Sequence, residues 1–162
     1  MSWKPRSAVV LALGGAILMA MALYFIFLRP PLLPEDLRFL GASDAELRSS
    51  LPRLSIWLQR VFWVLGGYIL ATGALTFYVA VTSFRARARG AAMTTAFAGL
   101  TSVGLMAAVN VLIASDFKWP LIALAMVWAL ALVLYLLEGR AAARDLFPGQ
   151  RQPGIRPEIR RT

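Results

Sequence analysis

The fold class this sequence predicts is an all-α integral membrane four-helix bundle with a short helical extracytoplasmic loop, and three observations lead to it. The 162 residues are 59% hydrophobic, against roughly 45–50% in soluble domains. Four uncharged runs, Ala8–Leu28, Val61–Phe84, Ala91–Ser115 and Trp119–Leu137, contain 21, 24, 25 and 19 residues. Each is long enough to cross about 30 Å of hydrocarbon at about 1.5 Å per residue. The runs lack the alternation of barrel strands, so a helix is the way to satisfy every backbone N–H and C=O within lipid.

Charge is the third observation. With the N-terminus cytoplasmic, that side holds eleven of the 17 basic residues against three acidic ones, and the other side holds six against five. The chain's net charge of +9 then divides as +8 and +1, and the positive-inside rule predicts cytoplasmic termini in the cell inner membrane. Such a basic face is a topology signal with attraction to anionic headgroups, so no nucleic-acid partner is expected. The predicted organisation is one membrane domain over residues 1–147, with spans near 8–28, 61–84, 91–115 and 119–137 and an outer loop at 29–60. Proline, glycine and arginine punctuate residues 148–162, which predicts a disordered basic tail.

The first run begins after the basic "MSWKPR", and Ala20-Met21-Ala22 has the form of a signal-peptidase site. The apolar stretch continues past it to Leu28, longer than a signal h-region of about 7–15 residues, so a retained signal-anchor helix is expected.

The loop is predicted to be helical. In "LPEDLRFLG", Pro34 suits a first helical position, Glu35 and Asp36 complement the helix N-terminus, and Gly41 ends the helix left-handed. Ser43 and Glu46 then form a capping box. From there Leu47, Leu51, Leu54, Leu58, Val61 and Leu65 draw one apolar stripe into the second span. Pro52 predicts a break near residues 49–51, with a serine capping the helix that follows. Trp57 and Trp63, beside Arg53 and Arg60, mark the outer headgroup level. This amphipathic cap suits contact with a lipid, a small ligand, or a membrane or periplasmic protein partner through Leu47, Leu51 and Trp57. A plain connector shielding two helix ends accounts for the same pattern.

Within the spans, small residues let backbones approach. Ala8, Ala12, Ala16 and Ala20 form an every-fourth stripe, and Gly67 with Ala71, Gly104 with Ala108, and Ala125 with Ala129 repeat the spacing. Asn110 is the polar residue that stands out, because an unpaired amide in hydrocarbon costs several kcal/mol. Counting along the helices places Tyr24 and Tyr68 at its depth. A tyrosine hydroxyl, a backbone carbonyl or water is the expected partner for Asn110. Both a structural clasp and a ligand site agree with that position.

Absent residues narrow the chemistry. Without histidine or cysteine the chain lacks bis-histidine haem ligation and thiol redox chemistry. The four runs carry no charged residue, hence no buried carboxylate for proton-coupled export. No catalytic residue, metal site or cofactor is therefore predicted. The stretches "LGGYILATG" (65–73), "SFRARARGAA" (83–92) and "SDFKWP" (115–120) resemble small uncharacterised four-helix proteins of the bacterial inner membrane, over roughly residues 55–138. That resemblance implies topology and loop shape, with no activity. The expected function is non-enzymatic, through a protein or lipid partner at the outer loop. A small transporter or channel component is the first alternative and a lipid-modifying enzyme the second.

Overall fold

The structure, a computed structural model, describes residues 5–146; the predicted disordered tail at 148–162 lies outside them. Every regular element described is helical. Four helices are long and apolar enough to cross a membrane: α1 (Arg6–Leu28), α4 (Leu54–Phe84), α5 (Ala91–Leu112) and α6 (Lys118–Leu146). Between α1 and α4 lie two short helices, α2 (Pro34–Leu40) and α3 (Asp44–Ser50).

The order in space differs from the order in the chain. α4 packs on α1, α1 on α6, and α6 on α5, whereas α4 packs against α5 only near the turn that joins them. The four helices therefore form an open row, and a cleft separates α4 from α5 towards the loop end of the molecule.

The tightest crossing joins α1 to α4. Ala8, Gly15 and Ala22 on one helix and Gly66, Gly73 and Ala80 on the other are all buried, and each set repeats every seven residues, the period of a left-handed helix pair. A β-carbon added to Gly73 would lie 2.9 Å from the Gly15 carbonyl oxygen, and one on Gly15 would lie 2.8 Å from the Phe77 backbone nitrogen. Only glycine permits so close a contact. This corrects the predicted stripes, since Ala20, Gly67, Ala71, Ala108 and Ala129 are exposed. Alanine-rich helices carry several small-residue stripes, and a step of one residue turns a stripe by about 100°. Composition alone does not select among them.

On α5 the buried positions are Ala91, Thr95, Gly99, Val103 and Ala107. A regular helix would rotate such an every-fourth set by about 160° over its length. The π-helical turn at Leu100–Gly104 takes back part of that drift and keeps the set facing α6. There Trp128 lies against Gly99 and donates its indole N–H to the Thr95 carbonyl at 3.0 Å.

The loop largely follows its predicted caps. Pro34 opens α2, Gly41 closes it at φ 66°, and Glu46 N–H donates to Ser43 Oγ at 3.2 Å while Ser43 N–H donates to Glu46 Oε2 at 2.7 Å. The chain breaks at Leu51 as expected. The serine cap does not form: Ser49 Oγ donates back to Glu46 O, Pro52 lies in the turn, and Arg53 precedes α4 without a side-chain cap.

At the opposite end, Arg87 occupies the α4–α5 turn at φ 54°, a left-handed conformation uncommon for a side chain of this size. Its guanidinium donates to the Tyr135 carbonyl at 2.6 Å, lies 4.3 Å above the Tyr135 ring and is 3.5 Å from Glu138. Glu138 in turn accepts from the Ser7 backbone N–H at 3.1 Å and the Ser7 hydroxyl at 2.6 Å. The carboxylate thus sits on the positive N-terminus of α1. One ion pair ties α1, α6 and the α4–α5 turn together.

Candidate functional site: a lateral cavity under a charged roof

The cleft between α4 and α5 deepens into a cavity of about 560 Å³, within the range of small-molecule sites, about 300–1,000 Å³. Its walls are mostly apolar: Leu18 and Phe25 from α1, Leu65 and Ile69 from α4, Leu105 and Val109 from α5. Tyr68 and Leu105 line it and are 70% and 60% exposed. The cavity therefore opens sideways between these two helices, to whatever surrounds the bundle. Two of the structure's π-helical turns border it, Tyr24–Leu28 and Leu100–Gly104.

Residues after α1 close the loop end. Arg29 folds back so that its guanidinium stacks 3.5 Å from the Phe62 ring centroid, donates to Asp36 Oδ2 at 3.3 Å and donates to the Pro30 carbonyl at 2.9 Å. Asp36 also accepts from the Leu33 backbone N–H at 2.9 Å, so it caps α2 and neutralises Arg29 at once. Burial holds Arg29 below its ordinary pKa, against the opposing pull of Asp36. It remains charged, since arginine stays protonated in proteins.

Glu35 is the unusual member of this roof. Only 6% exposed, it lines the cavity, and its one hydrogen bond among the described residues comes from the Ser115 hydroxyl to Oε1 at 3.4 Å. That is long for an O–H···O contact. Ser115 itself sits in the α5–α6 turn, where its hydroxyl also accepts from the Phe117 N–H at 3.1 Å.

The structure brings three of the six predicted contact residues together, with Tyr24, Tyr68 and Asn110 all lining the cavity. Asn110 Nδ2 donates to the Met106 carbonyl one turn back at 2.9 Å, the backbone-carbonyl arrangement among those expected, and neither tyrosine hydroxyl bonds to it. Tyr24 instead packs on Phe117, ring centroids 5.8 Å apart. Leu47, Leu51 and Trp57 are elsewhere. Leu51 and Trp57 border a separate shallow depression around Pro52, and Leu47 is half-buried and lines neither. The roof is built from α2 and its approach, and α3 takes no part in it.

Sequence reasoning missed Arg29, Glu35 and Ser115. Both Glu35 and Asp36 suit a helix start, and only the structure separates them: Asp36 accepts the Leu33 N–H and caps α2, whereas Glu35 borders the cavity. No protein-family model, curated protein or solved structure matches this chain, so the resemblance noted from its sequence lends it no activity.

Proposed function

We propose that this multi-pass membrane protein binds a single amphiphilic lipid from the surrounding bilayer, with the tail in the α4–α5 cavity and the polar end under the Arg29–Glu35–Asp36 roof. The observation that carries this reading is the pairing of an apolar chamber, open sideways at Tyr68 and Leu105, with charged groups at one end only. A lipid has that polarity. A partner transmembrane helix has to emerge into water at both ends, and here it would run into the roof. Binding, without a chemical step on the lipid, is the role that the residues lining the cavity support.

The bundle is oriented with both termini and the Arg87 turn cytoplasmic, in a bacterial inner membrane. The motive is the +8 to +1 division of charge. Cysteine labelling at Ser43 and Lys118 from outside intact cells, and none at Arg89, is the expected pattern; labelling of Arg89 from outside refutes it.

Lipid binding is tested by extracting the full chain with its native lipid and weighing the intact complexes. We expect one retained amphiphile per chain, lost in Leu105→Trp, which fills the cavity mouth, and kept in Leu112→Trp, whose parent residue is 80% exposed and lies off the cavity. Equal retention in the two variants overturns the reading.

A further inference from the structure

The charges of the roof bear on which headgroup would fit. Its ionic groups are Arg29, Asp36 and Glu35, a net charge of −1 when all are ionised. Arg29 and Asp36 neutralise each other at 3.3 Å, and the guanidinium is occupied further by Pro30 O and the Phe62 ring. An anionic headgroup would have to displace Asp36 from a contact it shares with the α2 cap.

Glu35 has the opposite need. Its side chain is more than nine-tenths buried and borders the cavity. Oε1 receives one long hydrogen bond, and Oε2 accepts none among the described residues. An accessible carboxylate oxygen with unused acceptor capacity in a mostly apolar site is suited to a cationic donor. The five other cations of this end are turned elsewhere: Arg38 pairs with Asp116 at 2.9 Å, Arg48 pairs with Asp44 at 2.7 Å, Arg53 borders the depression around Pro52, Arg60 lies near Trp63, and Lys118 lies near Trp119.

We propose, resting on the lipid-binding reading above, that the cavity takes an amphiphile whose head carries a primary ammonium group, with Glu35 as the residue that accepts from it. A primary ammonium has three N–H donors for the open carboxylate oxygen. A quaternary ammonium has none, and a glycerol head on a phosphodiester brings negative charge without a cation.

The test presents the purified full chain, in nanodiscs, with equal amounts of phospholipids of identical acyl chains bearing ethanolamine, choline or glycerol heads, and counts bound species by native mass spectrometry. The wild type should take the ethanolamine-headed lipid over each of the others by roughly tenfold, the scale of one charge-assisted hydrogen bond. Glu35→Gln should erase that preference, so that the lipid it does retain divides about equally among the three heads. Glu35→Asp, which keeps the charge, should retain a smaller preference of the same sign and guards against a misfolded variant. Free ethanolamine, added at the same concentration, should displace nothing, because it lacks the tail. No preference in the wild type, or a preference that survives Glu35→Gln, overturns the headgroup assignment and leaves the cavity reading standing. Displacement by free ethanolamine also overturns it, by reassigning Glu35 to a soluble amine. Retention of lipid by Leu105→Trp refutes the underlying reading instead, so the two failures are distinct.

Discussion

Replacing Gly73 by alanine tests the α1–α4 crossing. The added methyl would stand 2.9 Å from the Gly15 carbonyl oxygen and 2.9 Å from the Met19 backbone nitrogen, while ordinary contact begins near 3.4 Å. Two of its three nearest neighbours are backbone atoms of a helix, which cannot swing aside as a side-chain tip can. The whole of α1 has to retreat by roughly half an ångström, and a gap of that size forfeits about a quarter of each contact's dispersion energy along the seam. Overpacking of this kind costs about 1–3 kcal/mol. Alanine's better helix propensity, worth about 1 kcal/mol in water, offsets little here, because spans remain helical when they separate in a bilayer. Gly67→Ala on the same helix is the control: its methyl would meet nothing within 4 Å, so its effect should lie between zero and a small gain. The two variants should differ by about 2 kcal/mol, roughly thirtyfold in the unfolding constant. Reversible unfolding in mixed micelles, followed by tryptophan fluorescence, measures the difference. Agreement of the two within about 0.5 kcal/mol would refute the assignment of the seam to Gly15 and Gly73.

Glu138→Ala should destabilise the bundle by about 2 kcal/mol, since it removes the hydrogen bonds to Ser7 and strands Arg87; a loss under 0.5 kcal/mol in the same unfolding assay would count against the three-way tie. Gly99→Ala should displace the Trp128 indole from the Thr95 carbonyl, seen as a shift in tryptophan emission that Gly67→Ala does not produce. Glu46 accepts the Ser43 backbone N–H, which holds its carboxyl below the ordinary value. Its support of α3 is therefore complete above a pH of about 4.3 and disappears as pH falls through the lower folded value. Protection of the α3 amides, taken relative to their intrinsic exchange rates, should fall over that interval in the wild type and show no such pH step in Glu46→Gln.

The spans, the caps at Pro34, Gly41 and Ser43, and the common depth of Tyr24, Tyr68 and Asn110 were legible in the sequence, because each depends on local spacing or on length. The seam was not, because Gly66 and Gly67 are adjacent and only the approach of α1 decides which is buried. Nor was the roof. Arg29 and Glu35 lie six residues apart in a proline-rich stretch, and their shared position over α4 and α5 follows from the chain's reversal at residues 30–33, which no periodicity records. Arg87 had the look of one topology charge among three; its left-handed backbone and its bonds to Tyr135 and Glu138 distinguish it only in three dimensions.

The open row of helices has a mechanical consequence. α4 and α5 are two legs of one hairpin that part at the loop end and meet at the Arg87 turn, the shape of a pair of tongs, with α4 held against α1 and α5 against α6. α5 runs 22 residues from that turn, about 33 Å of lever at about 1.5 Å per residue. A tilt of about 5° at the turn then moves the far tip by about 3 Å, comparable to the thickness of a hydrocarbon chain's contact shell. A change of tilt at the Arg87 turn, which is fastened to α6, would therefore alter the mouth beside Tyr68 more than any part of the cleft nearer the turn.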